Sequence, residues 1–321
     1  MSGPADTVFV EAHARLHFGV LDLRGSLGRW FGGIGAAAPA PTLLLSATRA
    51  DQIAVTGEDA ARAAGFARRF LQHHHVSSGA RITLERALPA HAGLGSGTQL
   101  ALSIARALAE LYALPTDPGA LSLAVGRARR SAIGTWTFAY GGLVVEGGRP
   151  RGGDVCGPLI ARIALPDAWQ CVVAIPAGEP SLSGPAEADA FGRLPEPPQS
   201  EVEQVAHIVL MALLPAAADG DLAAFGRALT RIQEITGRWF AVVQGDTFAG
   251  GRTRELIELL AAHGAAGVGQ SSWGPSVYGI VDGTATAVRL AETVRAYLGL
   301  HGAVYHGPFP AEGARVWRTV I

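Results

Sequence analysis

The sequence predicts an α+β protein of two domains. Three observations lead there. Short strand-like segments crowd the first half, and a small-residue loop, AGLGSGTQ at 92–99, opens straight into a long amphipathic helix. A glycine-proline connection at 147–158 then separates this half from one that mixes helices and strands. The domains are placed at 1–158 and 159–321, each long enough to own a core.

Taken in order, Thr7 to Glu11, Thr42 to Ala47, Gln52 to Val55 and Arg81 to Leu88 are β-branched or alternating and bounded by turn residues, and read as strands. A helix covers Asp59 to His75. In the helix after the glycine loop, Leu100, Ala101, Ile104, Leu108 and Leu111 fall on one face, and Pro115 ends it. Asp117 suits the N-cap of the next helix and Pro118 its first turn, with Arg127, Arg129 and Arg130 at its negative end. Gly142 to Val145 reads as a strand. Residues 176–200, rich in proline and glycine, read as a mobile loop over a site or an edge. Helices follow at Glu201 to Leu214, Asp219 to Thr236 and Arg252 to His263, where Gly264 is the stop. Strand Val277 to Val281, helix Thr284 to Leu298 and strand Ala303 to His306 complete the second half.

Composition narrows the chemistry. All 26 basic residues are arginine, so no lysine can clamp a phosphate, form a Schiff base or act as a base; any cationic clamp must be the planar fork of arginine. The net charge of −1, with no basic stripe interleaved with aromatics, argues against nucleic acid as a partner. Cys156 and Cys171 make neither a zinc motif nor a disulfide framework, which suits a reducing compartment. The N-terminal residues lack an apolar run of signal length, and no stretch approaches the length of a membrane span. The expectation is a cytoplasmic protein with no membrane partner.

Three stretches carry candidate chemistry. In the first, Gly93, Leu94, Gly95, Ser96, Gly97 and Thr98 form a loop at a helix start, where backbone amides and the helix dipole favour an anion and the two hydroxyls can donate. The Gly-Lys-Ser/Thr ending of a P-loop is absent, and the glycine spacing is not that of a dinucleotide fingerprint. In the second, Arg15, His17, Asp22, Arg24 and Arg29 lie among glycines at 14–35; its plainer reading is a β-hairpin turning at Gly25-Ser26. The third, GVGQSSWGPSVYG at 267–279, places Gln270, Ser271, Ser272 and Trp273 in a second glycine- and hydroxyl-rich loop, or else in a structural loop anchored by the tryptophan.

PAHAGLGSGTQLALSIARAL resembles the second motif of the GHMP kinase superfamily, Pro-x-x-x-Gly-Leu-Gly-Ser-Ser, whose loop wraps nucleotide phosphates. The resemblance implies a GHMP kinase-like two-domain fold, with an N-terminal ribosomal-protein-like βα domain and a C-terminal ferredoxin-like α+β domain. Two features depart from the kinases. The stretch matching their aspartate-bearing segment, IGTWTFAYGG at 133–142, contains no acid, and Gly97 replaces the second serine of the motif. Together, RLHFGVLDLRGSLGR, GLGSGTQLAL, GT-x-x-F-x-x-GG at 134–142 and GQSSWGPSVYG resemble the β-ribofuranosylaminobenzene 5′-phosphate synthase family, a non-kinase branch belonging to tetrahydromethanopterin biosynthesis.

That resemblance implies condensation of 5-phosphoribosyl 1-pyrophosphate (PRPP) with 4-aminobenzoate or 4-hydroxybenzoate, losing pyrophosphate and carbon dioxide, and it implies a homodimer. On this reading Gly93 to Thr98, with Gln270, Ser271 and Ser272, bind PRPP. Arg15, His17 and Asp22 are the catalytic candidates. Arg15, Arg24 or Arg29 could hold the benzoate carboxylate, with Trp273 on its ring. Mg²⁺ would sit on Asp22, with Glu146 and Asp154 as weaker ligands. The alternatives are an ATP-dependent small-molecule kinase of the same fold and a non-catalytic phosphometabolite-binding protein.

Overall fold

The computed structural model describes residues 6–178, 181–182 and 184–320. The first half runs β1 (Asp6–Asp22), β2 (Arg29–Ala50), β3 (Ala54–Gly57), α1 (Ala60–His73), β4 (Gly79–Arg86), α2 (Ser96–Tyr112), α3 (Pro118–Ala124), α4 (Ile133–Tyr140), β5 (Leu143–Glu146) and β6 (Arg149–Pro150). The second runs β7 (Leu159–Ile163), β8 (Trp169–Pro176), α5 (Gly184–Arg193), α6 (Gln199–Ile208), α7 (Leu214–Asp219), α8 (Leu222–Gln244), α9 (Arg252–Ala262), β9 (Gly267–Gln270), β10 (Val277–Asp282), α10 (Thr284–Leu298), β11 (Gly302–Pro308) and β12 (Arg315–Val320).

Two sheets organise these elements. An eight-stranded sheet runs β12-β1-β2-β4-β3, with β5 and β6 pairing β2, and β7 pairing β5; a four-stranded sheet runs β11-β8-β10-β9. The strand partners are antiparallel except for β3 with β4. Strands β7 and β12 come from beyond residue 158 yet join the first sheet, so the boundary expected at 158/159 does not coincide with a break in that sheet.

The long hairpin of β1 and β2 forms because alternate β1 residues, from Val8 to Phe18, are fully buried beneath α2 and α8. Its turn falls at residues 23–28, as the plainer reading of that stretch expected. Helix α2 buries almost its whole length, including Leu100, Ile104 and Leu108, which is why its sequence is so rich in alanine and leucine. Asp117 caps α3 by accepting from the Ala120 amide at 2.8 Å, and Asp221 caps α8 through Ala224 at 2.9 Å. A smaller core, with Val172, Val277, Leu260 and Val294, lies between the second sheet and α9 and α10.

The acid-free stretch forms helix α4, with Ile133, Thr137 and Phe138 buried. Two expectations are corrected here. The segment 176–200 holds α5, because alanine and Phe191 give it a face to bury. The run Gln199–Asp219 is long and apolar enough, by length and composition, to cross a membrane. Val202, Val205, Val209 and Leu213 nevertheless face the protein core, and a single π-turn at Val209–Leu213 interrupts the run before Pro215.

Helix α8 meets β9 at Gly226, where an added methyl would lie 1.9 Å from the Ala266 carbonyl oxygen. Gly226→Ala therefore loses about 2–3 kcal/mol by overpacking backbone against backbone. Gly65 in α1 has open space around it, and Gly65→Ala gains about 0.5–1 kcal/mol from helix propensity. Urea unfolding of both variants against the parent checks the pair.

Candidate active site

Two β-bulges flank Arg15–Leu16–His17: the pairing with β2 shifts register between His13 and Arg15 and again between His17 and Gly19. Bulges re-aim side chains beside functional sites. Here Arg15 and His17 both line one cleft. Helix α8 supplies another wall from Gln233, Thr236, Phe240 and Gln244, whose spacing keeps them on one helical face. Gln270 ends β9, Ser272 and Trp273 come from the loop after it, and Arg130 and Glu187 from the segment before α4 and from α5.

Two kinds of side chain line the cleft. Aromatic rings meet edge to face: Trp273 stands 4.8 Å from Phe240 at 87° and 5.6 Å from Phe191 at 83°, and Phe31 lies 5.8 Å from Phe191 at 87°. Beside them, the Arg130 guanidinium lies over the Phe191 ring, 5.2 Å from its centroid, and pairs with Glu187 at 2.6 Å; the same carboxylate acts on Arg15 and Arg127. Burial pulls the Arg15 guanidinium down to about 10, so it stays cationic at neutral pH. Burial, reinforced by the Arg15 charge, pulls His17 down to about 3, which makes it a neutral imidazole there. A permanently neutral histidine can donate and accept hydrogen bonds but offers no positive charge to a phosphate.

The glycine loop lies behind this cleft. The Arg15 amide donates to the Leu94 carbonyl at 3.0 Å, and its guanidinium donates to the Gly93 carbonyl. The buried Ser271 hydroxyl donates to the Gly93 carbonyl at 2.8 Å and accepts from the His17 amide at 3.0 Å. A methyl on Gly93 would fall 2.4 Å from the Ser271 carbonyl, so the two loops can touch only through a glycine. All three sequence stretches thus meet at one place. Gly95 precedes α2, Ser96 and Gly97 open it, and the Thr98 side chain packs on Gly134 of α4.

Not every sequence candidate arrives there. Asp22 ends β1, where one carboxylate oxygen accepts from the Arg24 and Gly25 amides at 2.6 and 2.7 Å, fixing the hairpin turn. Arg24 reaches the Pro197 carbonyl and Glu196, and Arg29 clamps the carbonyls of Gly147 and Gly148, each at 2.7 Å. None of these three lines the cleft. Glu146 is buried, holding the Gly148 and Ala132 amides at 2.8 and 3.3 Å, and Asp154 faces solvent beside Arg129. Among the described residues no three His, Cys, Asp or Glu side chains converge on one metal position. Gln270 is committed to the Ala249 amide and the Ser272 carbonyl.

Sequence reasoning missed Arg130, Glu187 and Phe191. Arg130 looked like a helix-end cation, and the other two lay in a segment read as a loop. The repeating 233, 236, 240, 244 pattern on α8 was the one available signal, and it is indistinguishable from an ordinary helix face without the fold.

The fold defines the class. Residues 61–142 match the family profile described as GHMP kinases N terminal domain, and residues 213–299 the GHMP kinases C terminal profile. Solved structures agree at the level of fold. Homoserine kinase from Cytophaga hutchinsonii superposes with a TM-score of 0.68 at 16% identity, over 97% of each chain. Mevalonate diphosphate decarboxylase from Staphylococcus aureus does so with a TM-score of 0.68 at 13%, over 98% of each. Within that class the sequence is similar to proteins named beta-ribofuranosylphenol 5′-phosphate synthase. One, from Methanothermobacter thermautotrophicus, is 33% identical over 86% of this chain and 89% of its own; another, from Archaeoglobus fulgidus, is 34% identical over 86% and 88%. The chain belongs to this synthase family of the GHMP kinase superfamily, and is an enzyme acting on small molecules.

Glu146 gives the fold a pH signature. Burial lifts its carboxyl from 4.5 to about 7 against the pull of two amides. The folded state therefore holds this proton more tightly than the unfolded chain, and the stability it contributes below pH 4.5 is lost as pH rises through 7. That amounts to about 3 kcal/mol. His17 runs the opposite way, its contribution being lost as pH falls from 6.5 towards 3. Glu146→Gln removes the first slope and keeps the second; denaturant melts at successive pH values compare the two proteins.

Proposed function

We propose that the enzyme condenses PRPP with a para-substituted benzoate, 4-aminobenzoate or 4-hydroxybenzoate, releasing pyrophosphate and carbon dioxide to form a ribofuranosyl-arene 5′-phosphate. The observation that carries this reading is the mixed lining of the cleft, in which aromatic rings and arginines stand side by side. An aromatic acid and a phosphorylated sugar need those two environments side by side.

The chemistry asks little of proton-transfer groups. As the bond from the anomeric carbon to pyrophosphate breaks, positive charge builds on the sugar, as in other oxocarbenium-like glycosyl transfers. The ring carbon bearing the carboxylate supplies the electron pair for the new carbon–carbon bond and becomes tetrahedral. The bond to the carboxylate then breaks, its electrons restore the aromatic ring, and carbon dioxide departs. No proton is gained or lost in that sequence.

The residues of this chain orient and shield. Trp273, Phe191 and Phe240 hold the ring and exclude water from the cation, while Arg15 and Arg130 meet the anionic groups. His17, neutral and fixed through its backbone to Ser271, serves as a positioning hydrogen-bond partner. Arg24 and Arg29 hold loops in place. Mg²⁺, if required, enters as the counterion of the PRPP diphosphate, with phosphate and water as its ligands. The acid-free helix α4 supports this over the kinase alternative, since no aspartate there can deprotonate an acceptor hydroxyl.

Incubation with PRPP and carboxyl-labelled 4-aminobenzoate or 4-hydroxybenzoate releases labelled carbon dioxide. No release from either benzoate sinks the reading, and phosphorylation of alcohols from labelled ATP would install the kinase in its place. Trp273→Ala lowers kcat/KM for the benzoate by about 10- to 100-fold while leaving the KM for PRPP little changed.

A further inference from the structure

The reaction just described uses rings and arginines, and leaves two glutamines of the cleft without a task. Gln244 ends α8, four residues beyond Phe240, and Gln270 ends β9, three residues before Trp273. Both line the cleft, Gln270 buried and Gln244 half-buried. Gly237 prepares their place. A methyl there would lie 2.3 Å from the Thr247 carbonyl oxygen, so only a glycine lets the chain beyond α8 fold back onto the helix.

Backbone groups fix which way each amide faces. Gln244 Nε2 donates to the Thr247 carbonyl at 2.8 Å and to the Gly237 carbonyl at 3.5 Å. Gln270 Oε1 accepts from the Ala249 amide at 2.7 Å, and Gln270 Nε2 donates to the Ser272 carbonyl at 2.9 Å. The second N–H of Gln270 goes to Gln244 Oε1 at 3.3 Å. Turning either amide over would set oxygen against carbonyl oxygen. A primary amide has two N–H donors and an oxygen that accepts twice. All four N–H groups of the pair are committed, while each oxygen receives one bond. On the same face of α8, Thr236 gives its hydroxyl hydrogen to the Ile232 carbonyl at 2.9 Å and keeps its capacity to accept. The glutamine pair therefore offers a ligand acceptors and no donor.

We propose that Gln244 and Gln270 read the para substituent of the benzoate, selecting a group that carries N–H or O–H. For the identity of the ring, this assignment rests on the synthase reading. With the carboxylate on an arginine, the substituent is the polar group of the benzoate still to be matched, and it donates to a glutamine oxygen. The same bond assists the chemistry. As the ring carbon bearing the carboxylate forms its bond to the sugar, the para nitrogen or oxygen releases electrons into the ring and becomes more positive. Its hydrogen then donates more strongly, so the glutamine oxygen holds the transition state more tightly than the bound substrate. The hydrogen stays on the substituent, and the electrons return as carbon dioxide leaves.

A purely apolar pocket and a donor-reading one rank benzoates in opposite order. Methyl and amino groups are close in size, but methyl leaves water more readily. Calorimetric titration of the full-length protein compares 4-aminobenzoate, 4-hydroxybenzoate and 4-methylbenzoate. The amino or the hydroxyl compound binds about tenfold or more tightly than the methyl compound. Gln244→Met, which keeps the bulk and removes the acceptor, cuts that preference to about threefold or less. In turnover it lowers kcat/KM for the benzoate by at least as much as it lowers affinity; a smaller fall overturns the transition-state role. 4-Methylbenzoate binding as tightly as both others in the parent protein overturns the proposal, whether or not the variant folds. So does an undiminished preference in a folded Gln244→Met protein. Either result alongside carbon dioxide release refutes this assignment alone. A preference that depends on Gln244, without release from any benzoate, refutes the synthase reading alone.

Discussion

One buried hydroxyl holds the active region together. Ser271 Oγ accepts from the His17 amide and donates to the Gly93 carbonyl, joining the bulged strand, the glycine loop and the loop after β9. The three come from opposite ends of the chain, and the sheets alone do not fix their mutual position. A buried hydroxyl with both functions satisfied contributes modestly, but either partner left unsatisfied would cost about 1–3 kcal/mol. It acts beside other ties between the same stretches, among them the Arg15 amide on Leu94, the Ser272 amide on His17 and the Ser276 hydroxyl on Ala92. The absent side chain at Gly93 is the steric counterpart: it allows the close approach that the Ser271 bond to the Gly93 carbonyl needs.

From this junction the electrostatics follow. Arg15 is held inward by its own amide bond to Leu94, and His17 is kept neutral by its own burial first and by the Arg15 charge second. Glu187 offsets part of the positive charge, yet a single carboxylate faces Arg15, Arg127 and Arg130. The aromatic rings lower the local polarity, so the arginine charges beside them act over a longer range than they would in water.

Much of the framework could be read in the sequence, because its signals are local. Helix α10 has the limits its periodicity implied, Asp117 caps α3 as its position suggested, and the glycine loop does open α2. The synthase resemblance was carried by the same stretches that meet at Ser271. What could not be read was non-local. The bulges around Arg15 to His17 exist only relative to β2, and Arg130 becomes part of the cleft only when α5 brings Glu187 to it. Arg24 and Arg29 were ambiguous for the same reason. A guanidinium among glycines fits a loop clamp as well as a catalytic group, and the partners that decide between them, Gly147, Gly148 and Pro197, are far away in the chain. Asp22 differs, its partners being the nearby Arg24 and Gly25 amides of the turn.

The departures from the kinases make sense together. A phosphoryl-transfer site needs a group to take a proton from the acceptor and a cation to steady the moving phosphoryl group. Here α4 carries no acid, and the chain carries no lysine. On the proposed reading, a phosphate loop kept without the base would hold a diphosphate that itself departs while a carbon nucleophile attacks the carbon left behind. Arginine is better matched than lysine to that task, since a fork meets two oxygens of a leaving group at once. A carbon nucleophile would need an apolar wall, not a base, and the packed rings of Trp273, Phe191 and Phe240 form such a wall.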